Sequence, residues 1–121
     1  MEMLRKEKFG KRKQLELCIK SDNNKEIFLF RFLYFGGQFG IENADLTHCT
    51  LMIHVLSKDN RGVYVTAITG EAKRHPKDSP NWRIGARTAA KRAIYGLSEE
   101  SMSLCQTTKR ELYNAVRYAI P

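Results

Sequence analysis

The chain has 121 residues, 28% of them charged and 42% hydrophobic, with a formal net charge of +8. That is the length of one ordinary domain, with interior enough to fold without metal or disulfide, and the composition excludes a disordered chain. No apolar run approaches the ~18 residues of a membrane-spanning helix, so no membrane partner is expected, and the sign of the charge excludes a DNA mimic, which needs an acidic surface.

The excess charge sits at the two ends. Residues 1–13 carry six Lys/Arg against two Glu, residues 14–80 carry eight of each sign, and residues 81–121 carry seven Lys/Arg against three Glu. A field of this kind attracts polyanions. Residues 1–13 have no sustained apolar period and read as a flexible basic arm, with Lys11, Arg12 and Lys13 as candidate contacts to a nucleic acid or other partner. In residues 14–20, Leu15, Leu17 and Ile19 alternate with Glu16, Cys18 and Lys20. Period two with polar alternates predicts a strand with one solvated face.

Ser21-Asp22-Asn23-Asn24 is a turn cluster, and residues 26–35 form the returning strand. Gly36, Gly37 and Gly40 then break the pattern, and a loop runs to about residue 47. A third strand is expected at 49–56, a turn at Lys58-Asp59-Asn60-Arg61-Gly62, and a fourth strand at 63–69 with Val63, Val65 and Ala67 on one side. Pro76 and Pro80 make residues 71–81 a loop. Asn81 is placed to cap a helix over 82–95 that stops at Gly96. Ser98, with Glu99 and Glu100 behind it, opens a second helix there or a few residues later, ending near residue 119. Residues 14–121 therefore read as a single α+β domain of order ββββαα. Its four-stranded, mainly antiparallel sheet carries two C-terminal helices packed on one face.

The helix over 82–95 is the informative stretch. Trp82, Ala86, Ala89, Ala90 and Ala93 fall on one side, and small residues there permit close approach to a sheet. Arg83, Arg87 and Lys91 follow at i, i+4 and i+8, with Arg92 beside them and no acidic residue between Asn81 and Ser98. Like charges at this spacing repel by a few tenths of a kcal/mol per pair. A phosphate backbone is the simplest ligand to reward such a stripe; the competing reading is a solvated face. In the second helix Cys105, Thr108, Leu112, Val116 and Ala119 are assigned to the core. Lys109, Arg110 and Arg117 lie outside it with Tyr113 or Tyr118 nearby, a pairing that suits a nucleic-acid groove or a protein hot spot.

Cys18, Cys49 and Cys105 are odd in number and widely spaced, which points to a reducing, cytoplasmic setting with thiols acting as small apolar residues. There is no Cys-x-x-Cys and no His-Glu-x-x-His, and His48 and His54 alone do not make a site, so no metal and no cofactor are expected. The carboxylates Asp22, Glu26, Glu42, Asp45, Asp59, Glu71 and Asp78 read mostly as turn and loop residues. Asp78, beside His75 and Arg74 and with Glu71 as metal partner, is the one arrangement that admits a metal-dependent nuclease. No Ser or Cys has an evident base partner, so catalytic residues are not expected.

Pro76-Lys77-Asp78, followed by Ile84-Gly85-Ala86-Arg87-Thr88-Ala89-Ala90-Lys91-Arg92-Ala93, resembles a pattern of small phage and prophage accessory proteins, a Pro-Lys-Asp turn before an Ile-Gly-Arg-x-x-Ala-x-x-Arg-Ala helix. The likeness covers about a fifth of the chain, and Ala86 displaces the second basic residue by one position. It implies a non-catalytic protein of the host cytoplasm that binds nucleic acid or a nucleoprotein. The alternative it implies is an anti-defence inhibitor, such as an anti-CRISPR, acting on a host defence protein by protein–protein binding.

Overall fold

The computed structural model describes residues 2–9, 13–22, 25–36, 44–56, 63–74 and 81–121, with the backbone alone described for 2–9 and 13. Five strands, β1 (Glu2–Phe9), β2 (Lys13–Lys20), β3 (Glu26–Phe35), β4 (Leu46–Leu56) and β5 (Val63–Lys73), precede three helices, α1 (Trp82–Tyr95), α2 (Glu99–Ser103) and α3 (Lys109–Ala119). The strands lie in one sheet in chain order, each antiparallel to the next. The α+β class, the four expected antiparallel strands and the C-terminal helices packed against them are all present.

A fifth strand is added where a flexible arm was expected. β1 pairs with β2 along its whole length, from Glu2↔Lys20 to Phe9↔Lys13. Main-chain hydrogen bonding holds an edge strand without any apolar alternation, and charge along such a strand discourages further pairing. That is why its sequence carried no strand signal. Lys13 opens β2, while Lys11 and Arg12 lie outside the described residues.

The core follows from strict alternation. Leu15, Leu17 and Ile19 of β2 lie opposite Phe32, Phe30 and Phe28 of β3, which lie opposite Cys49, Leu51 and Ile53 of β4. All nine are buried. Each large apolar side chain among them contributes about 1.5–3 kcal/mol on burial. β4 begins three residues earlier than expected and β5 ends four residues later, because Leu46↔Lys73 and His48↔Glu71 continue the ladder once a partner strand is alongside.

α1 agrees with the expected bounds. The Asn81 side chain accepts from the Arg83 amide, and the Gly96 amide donates to the Arg92 carbonyl. Its Ala86, Ala89, Ala90 and Ala93 are fully buried. At Gly70 of β5 a Cβ would meet the Ala89 carbonyl and would stand 2.5 Å from the Ala93 nitrogen, so only glycine admits this helix-to-strand approach.

The second predicted helix is divided in two. Glu26, the first residue of β3, is 2% exposed, and its carboxylate accepts from the amides of Gln106 and Thr107 (3.2 Å for Thr107) and from the Thr107 hydroxyl at 2.8 Å. These bonds hold 105–108 out of helical geometry. Thr108 then restarts the helix as its N-cap, its hydroxyl accepting from the Glu111 amide and donating to the Glu111 carboxylate. Leu112, Val116 and Ile120 complete the core. Thr108 is therefore an exposed cap and not the core residue expected, while Cys105 and Ala119 are half-buried and pack against the core.

Candidate nucleic-acid interface

α3 returns antiparallel to α1. Lys109 at its start donates to the Leu97 carbonyl at 2.6 Å and the Tyr95 carbonyl at 3.4 Å, just beyond the C-terminal end of α1. An ammonium there complements the negative end of the helix dipole. Lys109 is thereby engaged in the fold rather than presented to a ligand.

Further along, Tyr113 of α3 packs edge-on against Tyr95 of α1, with ring centroids 6.4 Å apart. The Lys91 ammonium lies over the Tyr113 ring at 5.5 Å. Tyr95 continues the Arg83, Arg87, Lys91 series by one more step of four. The row on α1 is thus three cations ending in an aromatic, spaced about 6 Å apart for four residues of helix, and its Lys91–Tyr95 end meets α3.

Arg83 stacks on Trp82 with its guanidinium carbon 4.8 Å from the ring centroid, and Trp82 packs edge-on against Tyr34 from the core. Arg87 donates through Nε to the Arg83 carbonyl at 3.4 Å. These contacts orient the cations without neutralising them. Among the described residues the ion pairs are Arg31–Glu16, His48–Glu71 and Arg74–Asp45, none of which involves the seam. Arg83 and Lys91 are exposed and Arg87 is half-buried. Arg110 and Arg117 of α3 are exposed as well, at i, i+3 and i+7 with Tyr113 between them, and Tyr118 is 79% exposed.

Arg92 does not join this row. Its side chain leaves α1 on the β5 side and donates to the Glu71 carbonyl at 2.7 Å. Residues adjacent in a helix point about 100° apart, so Lys91 and Arg92 cannot share one seam. The structure thus leaves Arg83, Arg87 and Lys91 in one row on α1 and Arg110 and Arg117 exposed on α3, and diverts Arg92 and Lys109 to main-chain carbonyls. Tyr95 was missed by sequence reasoning, although its i+4 spacing from Lys91 was visible.

The Pro-Lys-Asp turn, His75 and Asp78 lie outside the described residues, as does Phe39. Glu71, the suggested metal partner, accepts from His48 at 3.0 Å instead. Among the described residues no three His, Cys, Asp or Glu side chains are grouped to hold a metal ion, and no helix is long and apolar enough to cross a membrane. All three cysteines are free. Compared with protein-family models, curated proteins and solved structures, the chain matches none of them.

Proposed function

We propose that the chain is a non-catalytic accessory protein that binds nucleic acid, alone or in a nucleoprotein, along the α1–α3 seam. The observation that carries this reading is the row of Arg83, Arg87 and Lys91, without a carboxylate partner among the described residues, converging on the Tyr95–Tyr113 pair. Cations neutralise phosphates and release counterions. Tyr95 and Tyr118, 50% and 79% exposed, offer surfaces on which unpaired bases stack. The likeness to phage accessory proteins fits the same role.

Fluorescence anisotropy with labelled single-stranded and duplex oligonucleotides tests it. Affinity should fall with salt, with a log–log slope of about −0.7 to −0.9 per phosphate neutralised. The double variant Arg87→Glu, Lys91→Glu should flatten the slope by about two and weaken binding tenfold or more at moderate salt. Lys20→Glu, on the opposite face of the sheet, should change neither. No binding at low salt overturns the proposal and favours the protein-binding inhibitor instead.

A further inference from the structure

A cavity of about 240 Å³ lies between α1 and the paired ends of β4 and β5, where Thr47 stands opposite Ala72. Its polar lining is rich in donors. Lys73, Arg74 and Arg92 supply cations, Thr47 and Thr88 hydroxyls, and Asn81 an amide. No aspartate or glutamate among the described residues lines it. Asp45 pairs with Arg74 at 3.0 Å and offsets that charge. Lys73 and Arg92 have no carboxylate partner among the described residues.

Thr47 is the second observation. It is 4% exposed, yet its hydroxyl has no hydrogen-bond partner among the described residues. A buried hydroxyl left unpaired is costly, so a site that holds one open rewards a ligand that completes it. Gly85 keeps the approach clear, since a Cβ there would stand 2.7 Å from the Thr47 Oγ1. Arg92 donates to the Glu71 carbonyl at 2.7 Å, and a guanidinium carries further N–H donors beyond that bond. The cavity also lies at the amino end of α1, the positive end of the helix dipole.

We infer that this cavity binds a phosphate monoester group. Cations and hydroxyls without a carboxylate in the lining select an anion over a metal ion. Guanidinium, hydroxyl and helix-end donors together suit phosphate oxygens. A monoester carries close to two negative charges, which the unpartnered Lys73 and Arg92 match. A phosphate within a strand carries one and is flanked by sugar on both sides. The volume falls below the ~300–1,000 Å³ of pockets that enclose a drug-sized ligand, so the cavity takes a charged end group and not a whole nucleotide. Such a group comes from a small phosphorylated molecule or from the 5′ end of a nucleic-acid strand.

Titration of the full chain with inorganic phosphate at fixed ionic strength, followed by amide chemical shifts, tests the site. The amides of Thr47, Gly85 and Thr88 should shift and saturate below about 10 mM. Thr47→Val removes a hydroxyl that the fold leaves unpaired. The thermal midpoint should therefore hold or rise while phosphate affinity falls about fivefold or more. Arg92→Gln should weaken phosphate binding about tenfold. The Arg87→Glu, Lys91→Glu variant should leave it within about twofold at physiological salt, so this inference and the nucleic-acid reading fail separately. Ribose 5-phosphate and a 5′-phosphorylated trinucleotide, each compared with its unphosphorylated form, distinguish the sources. Tighter binding of the trinucleotide assigns the site to strand ends, and equal or weaker binding assigns it to small molecules. Absence of saturable shifts at the three amides, equal affinity for acetate, or unchanged affinity in both Thr47→Val and Arg92→Gln would each overturn the inference.

Discussion

Glu26 and Cys49 are two buried side chains with opposite requirements. The Glu26 carboxylate is held by two amides and a hydroxyl of the segment before α3. Hydrogen bonds to a charged acceptor are worth about 1.5–3 kcal/mol, and buried donors left without one cost about as much. Glu26→Ala should therefore lower stability by about 3 kcal/mol in urea denaturation, and Glu26→Gln by less. Exchange at the Gln106 and Thr107 amides should speed up in both; unchanged exchange would show that the carboxylate does not fix this segment. Cys49 is fully buried, and burial pushes its thiol from an ordinary 9.0 up to about 12. Cys105 rises to about 11, through burial first and the Glu26 carboxylate second. Raised values mean that the fold favours the neutral thiol. The contribution is complete below about pH 9 and is lost as pH climbs toward 12. The thermal midpoint should therefore fall more steeply above pH 9 for wild type than for Cys49→Ala, and parallel curves would contradict the buried thiol.

At the scale of elements, the contact between α1 and β5 depends on the absence of side chains. Four buried alanines of α1 bring its main chain onto Gly70, where a Cβ would collide with the backbone of the helix. Backbone has no flexible end that can swing away. Gly70→Ala should cost about 1–3 kcal/mol, read as a lower urea midpoint, and a neutral outcome would place the helix farther from the strand. This packing also positions the basic row, since the alanine side turned inward leaves Arg83, Arg87 and Lys91 on another side of the helix, with Lys91 over Tyr113 of α3. The break between α2 and α3 matters in the same way. It starts α3 beside the end of α1, so that Lys109 caps Leu97 and Tyr113 meets Tyr95.

Over the whole molecule the layers divide the work. One sheet face and the helices enclose the core. The helix layer exposes Arg83, Lys91, Arg110 and Arg117, and the other sheet face carries charges of both signs in Glu16, Lys20, Arg31, Glu71 and Lys73. β5, at the other end of the sheet from β1, carries the uncharged run from Val63 to Gly70.

Local chemistry by itself determined the alternation of Leu15, Leu17 and Ile19, the bounds and caps of α1, the small-residue side that meets the sheet, and the concentration of positive charge at the chain ends. Those features are written within a few residues of one another, in periodicity, capping side chains and composition. Only the tertiary structure decided that residues 2–9 form a strand, that a carboxylate some eighty residues away divides the last helix, and that Arg92 and Lys109 are taken up by carbonyls while Lys91 joins Tyr113. Pairing at a sheet edge and capping by a distant side chain leave no periodic trace, because the groups that satisfy each other are neighbours in space and not along the chain.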